Sequence, residues 1–136
     1  MAEHTYEGGC LCGAVRYRAG GAPLLVEYCH CGMCRRAGGA PVVVWADFAA
    51  GDFSFVRGAP TQYESSPGIL RGFCGRCGSR LTFQRGPAPP KITVTVGTMD
   101  DPQALAPRQH IFAEDALPWL HLEDDLPRHS QGAPAG

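Results

Sequence analysis

The cysteines constrain this chain more than any other feature, because they are clustered rather than scattered. Seven cysteines occur in 136 residues, and they fall into three groups. The groups are "CLC" (Cys10, Cys12), "CHCGMC" (Cys29, Cys31, Cys34) and "CGRC" (Cys74, Cys77). An odd number of cysteines cannot pair completely into disulfides, and buried apolar cysteines have no reason to cluster. Spacings of this kind are typical of zinc sites, so the sequence predicts metal binding through thiolates.

The spacing inside each group suggests how the metal is held. Residues i and i+2 of an extended segment point to the same side, so Cys10 and Cys12 can bind one ion together. A CxxC pair forms a tight turn around a metal, and the glycines in "CGMC" and "CGRC" suit such a turn. Zinc sites closed by protein have four ligands, whereas open sites have three. Seven thiols therefore favour a four-cysteine site from the outer pairs and a three-cysteine site from the central trio.

Two other arrangements are open at this point. Cys31 and Cys34 could join the "CGRC" pair in a site like that of a zinc ribbon, which leaves Cys29 to the "CLC" pair. Alternatively, His30 could be a fourth ligand of the central trio. In an extended "CHC", however, the His30 side chain faces away from the two flanking cysteines.

The order of these motifs resembles a known family. "GGCLCGAVRY", "CHCGMCRRAGG" and "FCGRCGSRL" follow one another as in the glutathione-dependent formaldehyde-activating enzymes, and "VGTMDDP" and "PWLHLEDDLPRH" are similar to the C-terminal part of that family. The likeness extends from about residue 8 to residue 127. It implies two Zn²⁺ ions per chain. The structural zinc would bind Cys10, Cys12, Cys74 and Cys77, and the catalytic zinc would bind Cys29, Cys31 and Cys34.

The fold that the resemblance implies is all-β: small, mainly antiparallel sheets that carry zinc, called a β-tent, with at most one or two short helices. The chain agrees with this, because short runs rich in Val, Ile, Phe, Tyr and Thr alternate with turn residues. The predicted strands are "AVRYRA", "LLVEY", "PVVVWADF", "DFSFVR", "ILRGF", "RLTFQ" and "KITVTVG". A short helix is predicted at "DDPQAL", where Asp100 or Asp101 would cap the first turn and Pro102 would lie within it.

The length of the chain suits one hydrophobic core, so we expect a single zinc-binding domain over residues 1–127. Residues 128–136 are expected to form a disordered tail. The formal net charge of −1 argues against a nucleic-acid partner, because such binding depends on Lys and Arg contacts to phosphates. No apolar run approaches the roughly 18 residues of a membrane span, and the N-terminus does not resemble a secretory signal. A cytoplasmic location, where thiols stay reduced, is therefore expected.

The activity that the resemblance implies is the synthesis of S-(hydroxymethyl)glutathione from glutathione and formaldehyde, whose reverse is a carbon–sulfur lyase step. Three thiolates around one Zn²⁺ leave a net negative charge, and such a soft site favours a substrate thiolate as its fourth ligand. The zinc could bind the thiol or polarise the aldehyde oxygen. The alternative is a non-catalytic, zinc-stabilised binding module, because the family includes a centromere-associated protein without catalytic activity.

Other polar residues are weaker candidates. Arg35 and Arg36 follow the trio directly and could offset its charge or bind a substrate carboxylate, although solvated surface arginines are as good an interpretation. His110 and His121 could transfer protons, because histidine titrates near neutrality, but structural histidines are commoner.

The tryptophans and a pair of acidic residues have expected structural roles. Trp45 and Trp119 are large enough to anchor the core, and a place in the wall of a substrate pocket is the secondary interpretation. Asp124 and Asp125 are expected to cap turns or face water.

Overall fold

The computed structural model describes residues 4–132, and most of its regular structure is β-strand. This confirms the all-β fold class. In the described part of the chain the strands are β1 Thr5–Gly9, β2 Arg16–Gly20, β3 Leu25–Cys29, β4 Val43–Ala49, β5 Phe53–Arg57, β6 Thr61–Ser66, β7 Ile69–Phe73, β8 Arg80–Arg85, β9 Lys91–Thr95 and β10 Gln109–Ile111. One α-helix is present among these residues, α1 Gly32–Gly38. Short 3₁₀ turns cover Ala50–Asp52, Val96–Thr98, Pro102–Ala104 and Ala113–Asp115.

The strands form two sheets. The smaller sheet has the order β1-β2-β5, and the larger has the order β10-β3-β4-β9-β8-β7-β6. All the pairings are antiparallel except that of β10 with β3, which is parallel. The C-terminal part of the chain therefore returns to lie beside the strand that ends at Cys29.

The two faces of the larger sheet have different roles. Its inner face packs with the smaller sheet in one apolar cluster, to which Val26, Ala46, Phe48 and Val94 contribute from one side and Tyr17 and Ala19 from the other. Its outer face carries a second cluster, in which Cys29, Trp45 and Phe83 surround Cys34 of α1. Neighbouring side chains along a strand point to opposite faces, so Ala46 lies in the core while Trp45 lies outside it. The outer face is therefore not covered by the smaller sheet and can form a binding site.

The predicted strands and the observed strands agree where the sequence is apolar. The seven predicted runs correspond to β2, β3, β4, β5, β7, β8 and β9. The strands β1, β6 and β10 were not predicted, and each of them lies at the edge of a sheet. An edge strand such as "TQYESS" is largely exposed to water and therefore lacks the apolar alternation on which the prediction depends.

The helices differ from the prediction. "GMCRRAG" forms α1, with the Cys31 sulfur accepting the Cys34 amide at its start and Gly39 ending it at a φ of 62°. The helix predicted at "DDPQAL" is only the 3₁₀ turn Pro102–Ala104, and the Asp101 side chain makes no capping hydrogen bond there. In the described part of the chain, no helix has the length and apolarity that a membrane span needs.

The residues just after residue 127, where the sequence predicts a disordered tail, make backbone hydrogen bonds to β10 and the turn after it. The His129 amide donates to the His110 carbonyl at 3.0 Å, and the Phe112 amide donates to the Gln131 carbonyl at 2.9 Å. This segment supplies hydrogen-bond partners along the outer edge of β10, which would otherwise leave its backbone groups unpaired. The rest of the predicted tail, residues 133–136, lies outside the described residues.

Only one of the two tryptophans is buried as predicted. Trp45 is 7% exposed, whereas Trp119 is 64% exposed. Trp119 lies in a turn that belongs to neither sheet, so no element covers its ring. The core therefore depends on other large side chains, among which Tyr17 and Phe48 are fully buried.

We expect Phe48→Ala to lower the free energy of unfolding by about 3–5 kcal/mol, because it leaves a cavity in the cluster between the sheets. Tyr63, which is 61% exposed, is the matched control, and Tyr63→Ala should change stability by no more than about 0.5 kcal/mol. Denaturant unfolding of both variants in excess zinc measures the difference. Equal losses would contradict the assignment of this cluster as the core.

Candidate functional site

The outer cysteine pairs meet in one group. The Sγ atoms of Cys10, Cys12, Cys74 and Cys77 all lie within 4.8 Å of one another. Cys12 Sγ lies 3.7 Å from both Cys10 Sγ and Cys74 Sγ. Four sulfurs around a tetrahedral zinc, each about 2.3 Å from the ion, are about 3.8 Å apart. The donor atoms and their spacing therefore fit a zinc ion.

Backbone amides donate hydrogen bonds to two of the sulfurs of this four-cysteine site. The Val15 amide donates to Cys10 Sγ at 3.2 Å, and the Arg76 and Cys77 amides donate to Cys74 Sγ at 3.4 Å. Burial alone would raise the pKa of Cys10, but hydrogen bonds from the Val15 amide and from the Cys74 and Cys12 thiols lower that pKa below its usual value. Such donors stabilise the thiolate form, which is the form that binds metal.

The central trio forms a second group. The Sγ atoms of Cys29, Cys31 and Cys34 lie within 4.8 Å of one another. Cys29 ends β3, while Cys31 caps α1 and Cys34 lies one turn further along the helix. All seven cysteines are free thiols. The structure therefore has the four-plus-three division that the spacing favoured, and the zinc-ribbon arrangement, which would combine Cys31 and Cys34 with the "CGRC" pair, is not formed.

His30 is not part of the three-cysteine site. Its Nε2 atom lies 2.9 Å from His110 Nδ1, and its ring is buried, with 4% of the residue exposed. Burial lowers the pKa of His30 below its usual value, and the nearby His110 and Arg128 lower it further. The ring thus faces away from the sulfurs of Cys29 and Cys31, as the alternation of an extended segment predicts.

The most informative residue beside the trio is Arg71 on β7, which the sequence analysis did not identify. Arg71 Nη1 lies 3.6 Å from Cys34 Sγ, Nε donates to Ser65 Oγ at 3.0 Å, and the guanidinium lies 5.1 Å from the Phe83 ring centroid. Arg71 is 6% exposed, so its charge is buried. Hydrogen bonds from Cys29 and Cys31 lower the pKa of Cys34, and the Arg71 guanidinium adds to this effect.

A cavity of about 370 Å³ opens on the three-cysteine site, on the outer face of the larger sheet. The apolar walls of the cavity are formed by Trp45, Phe83 and Ile111. Trp45 therefore both packs in the cluster on this face and lines the pocket. Arg85 and Lys91 add positive charge to the lining, and Lys91 is paired with Asp47 at 2.9 Å. The volume lies in the range of sites that bind small molecules.

Arg35 and Arg36 do not line this cavity. They lie beside a separate depression with Gly39 and Leu117. Successive residues of an α-helix are rotated by about 100°, so the two residues that follow Cys34 point away from the side on which Cys34 meets the pocket. The structure thus gives no support to their predicted contact with substrate, and Arg71 is the arginine beside the trio.

The two histidines that the sequence suggests for proton transfer have different surroundings. His110 is 1% exposed, and its Nε2 atom lies 3.0 Å from Asp124 Oδ2, whereas His121 is exposed. Asp124 also accepts the Leu126 amide at 3.0 Å, as expected of a residue that caps a turn. Neither histidine lines the cavity beside the trio.

Comparison with known proteins was informative at three levels. A family model described as "Glutathione-dependent formaldehyde-activating enzyme" matches residues 5–115. A protein of Halomonas elongata, named "Putative glutathione-dependent formaldehyde-activating enzyme", is 32% identical over 128 residues, covering 86% of this chain and 80% of that protein. The crystal structure of a Rhodobacter sphaeroides protein superimposes with a TM-score of 0.57 at 29% identity, covering 69% of this chain and 87% of the other.

Arg71→Gln should shift the alkylation of Cys34 to higher pH in reduced protein from which a mild chelator has removed metal at the three-cysteine site while zinc stays at the four-cysteine site. Alkylation requires the thiolate, and the guanidinium lowers the pKa of Cys34, so its removal raises that pKa. Arg85→Gln is the matched control, because Arg85 also stacks on Phe83 but makes no contact with Cys34. Peptide mapping by mass spectrometry as a function of pH measures the midpoint. An unchanged midpoint would show that Arg71 does not act on Cys34.

Proposed function

Because the chain belongs to the glutathione-dependent formaldehyde-activating enzyme family, we propose that it is a zinc-dependent carbon–sulfur lyase or synthase that acts on a small thiol and an aldehyde. The family name implies glutathione as the thiol and formaldehyde as the aldehyde. The observation that carries the proposal is the three-cysteine site, where a trio of thiols and the buried Arg71 together line one cavity.

Two zinc ions per chain are part of the proposal. The four-cysteine site would hold one ion with four protein ligands and no open coordination position, which is the arrangement of a structural site. Cys29, Cys31 and Cys34 would hold the other and leave the fourth tetrahedral position to water or substrate. When bound there, zinc supplies deprotonation of the substrate thiol or polarisation of the aldehyde oxygen.

Arg71 has two tasks in this function. First, three thiolates and one dication leave a single negative charge beside the cavity, and the guanidinium compensates it where burial would otherwise be costly. Second, arginine has five N–H donors, and among the described residues one donor on Nε is engaged with Ser65 and one on Nη1 with Cys34. The remaining donors can bind the carbonyl oxygen as it becomes negative.

The bond changes are simple. The thiolate sulfur donates an electron pair to the carbonyl carbon, the C=O π pair moves to the oxygen, and the oxygen then takes up a proton. In the lyase direction the hydroxyl loses its proton to solvent, an oxygen electron pair re-forms the C=O bond, and the C–S bond breaks so that its electron pair leaves with the thiolate. The apolar walls formed by Trp45 and Phe83 exclude water from this step, which strengthens the interaction of Arg71 with the developing oxyanion.

The pocket also has groups that suit a charged thiol. Arg85 and Lys91 can pair with carboxylates such as those of glutathione. A reducing compartment, such as the cytoplasm, would suit this function because cysteines bind metal only as reduced thiolates. The alternative function, a binding module without turnover, would be supported if His30 or another nearby side chain closed the trio. His30 was the candidate for that role, and its ring is engaged with His110 instead.

Cys31→Ser and Cys74→Ser should have different effects. Cys31→Ser should remove one zinc and the activity while the protein remains folded, because it affects only the site on the outer face. Cys74→Ser should cause unfolding, because binding at the four-cysteine site contributes directly to folding. Zinc analysis and circular dichroism of both variants measure these effects. Similar damage from the two substitutions would contradict the division into a structural and a catalytic site.

The activity itself can be tested with ¹³C-formaldehyde and glutathione. The adduct also forms without an enzyme, so the relevant quantity is the exchange rate between free and thiol-bound formaldehyde, measured by NMR exchange spectroscopy. The zinc-loaded protein should accelerate the exchange, and Cys31→Ser should not. If the zinc-loaded protein fails to accelerate exchange for glutathione or for other small thiols and aldehydes, the proposed function is wrong.

A further inference from the structure

A row of polar side chains connects the three-cysteine site with the C-terminal segment. His30 Nε2 lies 2.9 Å from His110 Nδ1, and His110 Nε2 lies 3.0 Å from Asp124 Oδ2. Both histidines are buried, with 4% and 1% of the residue exposed. Neither ring lines the cavity, so this row of side chains has no contact with the proposed substrate.

The direction of the hydrogen bonds follows from Asp124. A carboxylate can only accept, so His110 donates through Nε2. In the neutral ring of His110, Nδ1 is then the acceptor, and His30 donates to it through Nε2. The remaining nitrogen of His30, Nδ1, is buried and has no hydrogen-bond partner within residues 4–132. Asp124 thus sets the tautomers of both histidines.

His30 is the residue through which this row of side chains is connected to the cysteines of the trio. It lies between two of the three clustered cysteines, and side chains in an extended segment alternate between two sides. When the His30 ring is fixed on one side, Cys29 and Cys31 are held on the other. The His30 amide also donates to the Ile111 carbonyl at 3.2 Å, which ties the same residue to the strand that carries His110.

Asp124 is itself held in place. Its Oδ1 atom accepts the Leu126 amide and Arg128 Nη1, each at 3.0 Å, and Arg128 Nη2 donates to the Leu122 carbonyl at 2.9 Å. This part of the chain lies beyond residues 5–115, the range that the family model matches. The contacts that define the row therefore depend on a segment outside the part of the chain that carries the cysteines.

We propose that Asp124, His110 and His30 form a positioning relay, through which the C-terminal segment holds Cys29 and Cys31 in the arrangement that binds metal. The relay rests on the proposed function in one respect, namely that the trio holds a zinc ion. The relay residues act through the backbone of the ligands and touch neither substrate nor metal. Groups that orient metal ligands from outside typically change metal affinity about 10–100-fold when they are removed.

The test is Asp124→Ala, with Asp125→Ala as the matched control and Asp124→Asn as the conservative variant. Asp125 is a neighbouring, exposed carboxylate, and an asparagine oxygen can still accept from His110. Competition with a chromophoric chelator gives the zinc dissociation constant of each site. Asp124→Ala should weaken the three-cysteine site about 10–100-fold and leave the four-cysteine site unchanged. The zinc affinity of the three-cysteine site in Asp124→Asn should be closer to that of the wild type, and in Asp125→Ala it should equal the wild-type value.

A second measurement does not depend on the zinc dissociation constants. Long-range ¹H–¹⁵N spectra of the histidine rings should show Nε2–H tautomers for His30 and His110 in the wild type and a changed pattern in Asp124→Ala. Unaltered zinc binding at both sites in Asp124→Ala, or equal weakening of both, would overturn the relay while the proposed function stands. A wild-type chain that binds zinc only at the four-cysteine site would overturn the proposed function together with the relay.

Discussion

The fold depends on the approach of four sulfurs from distant parts of the chain. Cys12 and Cys74 are 62 residues apart in sequence, yet their Sγ atoms are 3.7 Å apart. One pair follows β1 of the smaller sheet, and the other follows β7 of the larger sheet, so their meeting fastens the two sheets together. Four thiolates this close would repel one another without a cation. A metal that binds only the folded arrangement adds its binding free energy to the stability of the fold.

Alternation of side chains along extended segments explains the remainder of the architecture. On β4 it places Ala46 in the core and Trp45 in the pocket. In "CHC" the same alternation directs two sulfurs to the outer site and the His30 ring to His110. A single local rule thus separates the core, the proposed catalytic pocket and the histidine row without any long insertion.

The cysteine groups and seven of the strands could be predicted from the local sequence. Contacts that depend on strand register could not. Spacing and ligand number favoured the four-plus-three division of the thiols without excluding the alternatives, and the apolar strands followed from their alternation. Arg71 lies 37 residues from Cys34 in sequence, and the register of β7 with β8 places it opposite Phe83, which packs beside the trio. The partnership of His110 with Asp124 also depends on the return of the chain along β10. Arg35 and Arg36 follow Cys34 directly in sequence but line a different depression, because successive residues of a helix point in different directions.

X-ray absorption at the zinc K-edge of the wild-type protein, prepared without added thiol, tests the central claim most directly. We predict two zinc ions per chain and an average environment of between three and four sulfurs at about 2.3 Å, with a lighter atom at about 2.0 Å completing the three-cysteine site. A pure four-sulfur shell would show that no coordination position is open to substrate. A single ion per chain, bound by four sulfurs, would show that the trio is not a metal site, and either result would contradict the account.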